Sequence, residues 1–197
     1  MNNVGNLENC KCIRIGECES RLLNQFWISE DKNAESLVNY LRSPRCALLE
    51  ENDGTARTYV VIDEDRDCII RYFTLRAGQC FVEKRKGFRR KHYVFPGVEL
   101  AMFAINDRYK QAQGNPDFSF GEWVFRKYIL PKIQESAKLI GIKMIYLFAL
   151  PGKPRLVKFY ENLGFQNPNN ITINNKRVRT IKPAFDAGCI FMFRKIK

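Results

Sequence analysis

The chain has a single histidine, His92, among its 197 residues. One histidine gives a Ser-His-Asp or Cys-His relay nothing further to build on. No stretch approaches the ~18 uncharged apolar residues that a membrane-spanning helix requires. The opening residues, MNNVGNLENCKC, lack both a basic start and an apolar run. A secretory signal is therefore not expected, and the cytosol is the expected compartment. Cysteine pairs of the C-x-x-C kind are also missing. The seven cysteines stand at 10, 12, 18, 46, 68, 80 and 189, and in a cytosolic chain they should stay reduced. Cys46, Cys68, Cys80 and Cys189 sit among apolar residues and read as small core residues. Cys10, Cys12 and Cys18 form a loose cluster with C-x-C spacing and no evident fourth ligand, so no metal site is expected. No internal repeat is visible.

What is abundant is positive charge. Lys plus Arg is 33 against 21 Asp plus Glu, a formal net charge of +12 and a pI near 9.5. With 45% hydrophobic and 13% aromatic residues this is a folded protein and not a disordered polycation. The length suits one domain over 1–197, with residues 1–30 an N-terminal extension that is hard to read. The charge implies an anionic partner: nucleic acid, an acidic protein or a phosphorylated cofactor. His92 closes the run Lys84–Lys91 and reads as a solvated loop histidine.

The hydrophobic pattern predicts alternating elements. Ala34–Arg42 is a helix with Leu37, Val38 and Leu41 on one face, ended by Ser43-Pro44. Cys46–Glu51 is a short apolar run. Arg57–Asp63 and Cys68–Arg76 are β-branched strands joined by a polar connection of hairpin length. Lys84–Lys91 is expected to form a loop, ending at Pro96-Gly97. Val98–Ile105 is almost continuously apolar and fits a strand covered on both faces. Asn106–Ser119 is expected to be a polar loop. A long helix follows over Gly121–Leu139, where Pro131 should kink it or cost one hydrogen bond. Lys143–Leu150 is a buried strand. Pro154–Leu163 is a helix with Pro at its start and Gly164 past its end. Strands near Ile171–Ile173 and Cys189–Arg194 finish the chain. The order gives a mixed α/β sheet with a βαβ unit from Val98 to Leu150.

The strand, loop and helix after Val98 are the most informative segment for chemistry. First-turn N–H groups and the helix dipole suit a phosphate, Gly114 and Gly121 permit close backbone approach, and Lys110 adds charge. Four segments, in this order, resemble the GNAT superfamily of acyl-CoA-dependent N-acyltransferases. Ile69–Leu75 (IIRYFTL) looks like the family's third strand and Glu99–Ile105 (ELAMFAI) its fourth. Tyr109–Gly141 stands where its coenzyme A loop and helix stand. Phe159–Phe165 (FYENLGF) matches its FYxxLGF segment. The resemblance implies an α/β (α+β) fold, a mostly antiparallel central sheet flanked by helices, with splayed fourth and fifth strands. The family's loop reads Q/R-x-x-G-x-G/A. Gln111-Ala112-Gln113-Gly114 fits its first half, but Asn115–Phe120 intervenes before Gly121. Alternatively Lys110 holds the first position, and Gln113 replaces a glycine.

The same resemblance implies acetyl-CoA as co-substrate, no metal, and direct attack by a primary amine in a ternary complex. It implies Tyr160 as the acid that reprotonates the thiolate, with a core aromatic as its ordinary role. Glu99, the only charged residue of Val98–Ile105, matches the general base of the histone acetyltransferase branch; a paired glutamate at a strand start is the alternative. Phe103, Ala104, Ile105 and Phe148 would line the pantetheine arm. Lys110, Gln111, Gln113, Gly114, Gly121, Glu122 and Lys153 would lie about the phosphates. Thr58–Leu75 is also similar to the toxin branch, which acetylates aminoacyl-tRNA and is restrained by an antitoxin. The basic runs Lys84–Lys91, Lys176–Lys182 and Arg194–Lys197 agree with a large anionic acceptor such as charged tRNA. The expectation is a cytosolic N-acetyltransferase of undetermined acceptor, with the tRNA-directed toxin and a catalytically degenerate binding module as alternatives, and a homodimer left open.

Overall fold

The computed structural model describes residues 7–29, 34–86, 89–113, 119–150, 152–167, 172–173, 176–177, 179–181 and 188–196. The chain divides into two compact units, Met1–Arg76 with Ala101–Pro131, and Ala77–Leu100 with Lys132–Lys197.

In the first unit the sheet begins early in the chain. Cys10–Arg14 forms β1, antiparallel to β2 (Arg57–Asp63), with Cys10 opposite Asp63 and Arg14 opposite Tyr59. Between them lie α1 (Ser20–Gln25), α2 (Ala34–Arg42) and α3 (Ala47–Asn52). The apolar run at Cys46–Glu51 thus becomes mostly helix. Strand β3 (Cys68–Lys86) pairs antiparallel with β2 over Cys68–Leu75. The register slips between Val61, opposite Arg71, and Ile62, opposite Ile69, so Ile70 is the extra residue of a bulge. The helices cover this sheet with a core that includes Phe26, Leu41, Tyr72, Ile69 and Val60. Phe26 meets the Tyr72 ring edge-on at 5.2 Å.

Strand β4 (Arg89–Ile105) is followed by α4 (Asp107–Gln113), then by a helical stretch of α5 (Phe120–Val124), a π-helical segment (Phe125–Ile129) and α6 (Leu130–Ile140). The π segment is the form that the expected Pro131 defect takes. Proline lacks an N–H and crowds the carbonyl four residues back, so the turn ahead of it widens and Leu130 N–H bonds to Phe125 C=O. In the second unit, β5 (Met144–Ala149) precedes α7 (Pro154–Asn162), β6 (Thr172–Ile173), β7 (Lys176–Arg177), β8 (Arg179–Ile181) and β9 (Ile190–Lys195). Strand β5 pairs in parallel with β4 and antiparallel with β9. The order along the main sheet is β1-β2-β3-β4-β5-β9. This is the mixed, mostly antiparallel α/β sheet with the expected βαβ crossover.

Two expectations need correction. The basic run Lys84–Lys91 is not a loop: β3 continues to Lys86 and β4 starts at Arg89, which puts His92 on a strand. Non-local pairing overrides a composition that reads as solvated turn. The segment Asn106–Ser119 is not all loop, because Asp107–Gln113 is helical.

Candidate active site

The end of β4 is fixed by Asn106, which is 3% exposed. Its side-chain amide donates to Ile69 C=O at 2.8 Å, and its own N–H bonds to Ile70 C=O at 2.9 Å. Its side-chain oxygen accepts from Arg108 N–H at 3.2 Å, an N-cap on the first turn of α4, and from Trp27 N–H at 3.4 Å. Next to it, Asp107 N–H donates to Trp27 C=O, and its carboxylate accepts from the N–H and the hydroxyl of Ser29. One turn on, the buried Tyr109 hydroxyl donates to the buried Asp63 carboxylate at 2.7 Å. Burial, then this bond, hold the Tyr109 phenol far above its ordinary pKa. The first turn of α4 is therefore tied to β2, to β3 and to the segment after α1.

This changes the reading of the glycine loop. Lys110 and Gln111 are exposed on α4, and Gln113 ends it. A helix C-terminus carries carbonyls and a partial negative charge, the wrong end for a phosphate. Gly114 lies outside the described residues. Beyond it, Ser119 caps the next helix by accepting Glu122 N–H at 3.3 Å. Gly121 is buried there, and Glu122 pairs with Arg126 at 2.8 Å. On β4, Ala104 is buried in the core of this unit, Ile105 is half-buried, and the Phe103 ring lies under the Arg71 guanidinium at 4.2 Å.

The remaining candidates fall in the second unit. Glu99 is half-buried on β4, in parallel register with Tyr146. That register covers three pairs, Gly97–Met144, Val98–Ile145 and Glu99–Tyr146, whereas β5 stays paired with β9 up to Ala149. The fourth and fifth strands thus leave their shared ladder halfway. Phe148 packs against Tyr146 and Phe191. Lys153 is the residue before α7, and Pro154 opens that helix. Tyr160 is buried on α7 between Phe159 and Phe165, with centroids 5.2 and 5.8 Å away. The FYENLGF segment is the end of this helix. Gly164 takes φ +85°, which a side chain would resist, and Phe165 N–H then reaches back to Tyr160 C=O at 3.0 Å.

Two features of the strands are not signalled by hydrophobicity. Asn106 falls in a segment whose composition reads as loop, though an Asn-Asp pair after an apolar strand is itself a capping signal. Tyr146 reads in sequence simply as part of a buried strand. Its ring lies over Gly97 of β4, and its hydroxyl occupies the place where a side chain on Gly78 of β3 would stand. No hydrophobicity pattern shows such a slot. Four of the cysteines are held as thiols by burial. Burial, acting first, pushes the thiols of Cys10, Cys18 and Cys68 up to about 11 and that of Cys80 up to about 12. Among the described residues no group of three or more His, Cys, Asp or Glu could hold a metal, and no helix is long and apolar enough to cross a membrane.

No protein-family profile and no curated protein sequence matches the chain. Solved structures do. Solved toxin structures share the mixed α/β fold of this chain at low identity, in agreement with the fold that the FYENLGF resemblance implied. A tyrosine-to-phenylalanine mutant of KacT is 19% identical, with 95% of each chain covered and a TM-score of 0.63. The corresponding kind of mutant of the AtaT toxin, bound to the C-terminus of the antitoxin AtaR and acetyl-CoA, is 17% identical over 95% of this chain and 94% of that one, at 0.58. AtaT complexed with acetyl-methionyl-tRNAfMet is 17% identical, over 87% and 94%, also at 0.58.

Proposed function

We propose that this protein is an acetyl-CoA-dependent N-acetyltransferase working in the cytosol, with the amino group of a charged tRNA as its acceptor. The observation that carries the reading is the parallel β4–β5 ladder that stops at Glu99 and Tyr146 while both strands continue. Beyond Tyr146 the backbone of β5, no longer in the parallel ladder, suits an extended, amide-bearing arm such as pantetheine, which bonds to backbone as an added strand does. The fold likeness to a toxin solved with acetyl-CoA, and to AtaT with an acetylated methionyl-tRNA, supports the cofactor and the acceptor.

Acetyl-CoA supplies an activated thioester. The chain's own groups then have defined tasks. Glu99 takes the proton that an ammonium acceptor must lose before its nitrogen can attack. Tyr160 donates its hydroxyl proton to the departing sulfur, in a surround of Phe159 and Phe165 that keeps water away. Ala104 and Ile105, with Phe103 beside them, and separately Phe148, serve the pantetheine arm. In the first unit Gly121, in the first turn of α5, offers the phosphates a backbone N–H and the exposed Lys110 offers charge. A second reading, a binding module on the same fold without catalysis, is favoured by one observation: the Gln111–Gln113 stretch closes a helix.

Titration calorimetry with acetyl-CoA separates the two. A saturable heat at micromolar concentration supports the enzyme; none at high micromolar overturns it. With binding in hand, transfer of labelled acetyl groups to aminoacyl-tRNA, against polyamines and peptides, identifies the acceptor. Tyr160→Phe should lower kcat with little change in acetyl-CoA affinity, and Glu99→Gln should flatten the rise of rate on the basic side.

A further inference from the structure

The sequence places its basic runs far apart, at Lys84–Lys91 and at Lys176–Lys182. The topology joins them. Past the buried Cys80, β3 runs on to Lys86, and β4, its neighbour in the sheet, starts at Arg89; together they form an arm. Strand β8 adds to this arm antiparallel, with Phe81 opposite Ile181, Val82 opposite Thr180 and Glu83 opposite Arg179. Strand β7, Lys176–Arg177, pairs with Thr172–Ile173 in a separate two-stranded sheet. The strands of this arm thus carry Lys84, Arg85, Lys86, Arg89, Arg90, Lys91 and Arg179, with Glu83 the one acid between Phe81 and His92 in the sequence.

Such a density is unfavourable without a partner. Like charges on neighbouring strands destabilise a sheet. Protecting a sheet edge from aggregation takes only a charge or two. At ~3.3 Å per residue the backbone of β3 from Phe81 to Lys86 spans roughly 20 Å. A double helix with about one phosphate charge per 1.7 Å would present about ten phosphates over that length. Four of these seven cations are arginine, the residue whose fork matches phosphate oxygens.

We infer that the β3–β4 arm with β8 is an RNA-binding surface that grips the phosphate backbone of the acceptor by charge and not by sequence. The inference rests on the charged-tRNA reading for the choice of RNA, but it concerns binding and not transfer. The test is filter binding of the full chain to unacylated bulk tRNA over a KCl series, without acetyl-CoA. The triple variant Arg89→Gln, Arg90→Gln, Lys91→Gln should bind at least ~10-fold more weakly at 0.1 M salt, and its log K against log salt slope should fall by about 2 to 3. The pair Lys84→Gln, Lys86→Gln gives a second, independent reading should the triple fail to fold. Substituting Arg89, Arg90 and Lys91 by Lys, Lys and Arg should retain the wild-type slope. A control triple, Lys138→Gln, Lys158→Gln, Lys195→Gln, removes the same charge from exposed positions elsewhere and should lose less than ~3-fold.

Equal loss in the control overturns the surface, because net charge alone would then explain it. Unchanged binding in both arm variants overturns it as well. If polyglutamate or a DNA duplex of equal length competes as well as tRNA does, the arm is not an RNA site. The catalytic reading fails separately. A chain that loses tRNA with the arm variants but gives no acetyl-CoA heat keeps this inference and loses that one.

Discussion

The two units fasten their strands by opposite means. In the first, the turn from β4 into α4 is held by polar atoms with directional needs: Asn106, Asp107 and the Tyr109–Asp63 bond. In the second, strand contacts are made by shape. Tyr146 lies in a slot made by the missing side chains of Gly78 and Gly97, and Phe148, Phe191 and Phe193 gather around it. Polar fastening fixes one orientation and is costly when one partner is lost. Aromatic fastening spreads many small contacts, so its loss scales with the volume removed.

The largest effect should come from emptying the slot. Tyr146→Ala is expected to cost about 3–5 kcal/mol in urea unfolding, and Tyr146→Phe less than about 1.5. If the alanine costs under 1 kcal/mol, the ring is not what holds these strands. Next is Asn106→Ala, expected at about 2–3 kcal/mol, because Ile69 C=O and two N–H groups lose their buried partner. Asn106→Asp sharpens the contrast. A carboxylate cannot donate to Ile69 C=O, so this variant should be as damaging at pH 7. It should recover relative to wild type as pH falls toward 4, where the protonated acid donates again. A flat pH response would show that directionality at Asn106 does not matter.

This difference also explains what was legible from sequence. The ends of α2 and β2 fall where the local pattern puts them, Ala34–Arg42 and Arg57–Asp63, because periodicity, proline and turn residues are local signals. Helix α4 was not legible: DRYKQAQ has little apolar period, and tertiary bonds to Ile69, Asp63 and Ser29 hold it. The run Lys84–Lys91 reads as a loop in sequence because the pairing of this arm with β8 joins residues nearly a hundred positions apart in the chain. Tyr160 and Glu99 stand as candidates through the FYENLGF and ELAMFAI segments, and Glu99 also as the only charged residue of Val98–Ile105, since nothing in their spacing marks them as acid or base. Tyr146 and Gly78 could not be found at all, because a glycine far upstream says nothing of the ring that fills its place.

A third prediction divides the slot into its walls. Gly78→Ala and Gly97→Ala should each cost about 1–3 kcal/mol by overpacking. Their response to Tyr146→Phe should differ. At Gly78 the new carbon meets chiefly the Tyr146 hydroxyl, so removing that oxygen should recover much of the loss in a double-mutant cycle. At Gly97 it meets the Met144 carbonyl at 3.1 Å and the ring at 3.2 Å, and neither leaves with the hydroxyl. Equal coupling at the two glycines would contradict the geometry.

The smallest effect tests whether polar fastening makes the first unit the pH-sensitive one. Glu50 accepts from Arg76 at 2.6 and 2.9 Å and from the Tyr40 hydroxyl at 2.6 Å. Burial raises its pKa, but the bonds from Arg76 and Tyr40 outweigh that and hold the carboxyl below its ordinary value. A depressed folded pKa adds stability above the unfolded value, near 4.3, and that stability is lost as pH falls through the folded one. Wild type should therefore lose up to about 1 kcal/mol below pH 4.5 from this group, a modest figure for a partly exposed pair. Glu50→Gln should be less stable at pH 7 and should lack that part of the acid slope. Urea midpoints at pH 7, 5 and 3.5 measure both. If Glu50→Gln keeps the full acid slope, the Arg76–Glu50–Tyr40 cluster is not a source of the unit's pH dependence, and the contrast between the two modes of fastening rests on Asn106 and Asp63 alone.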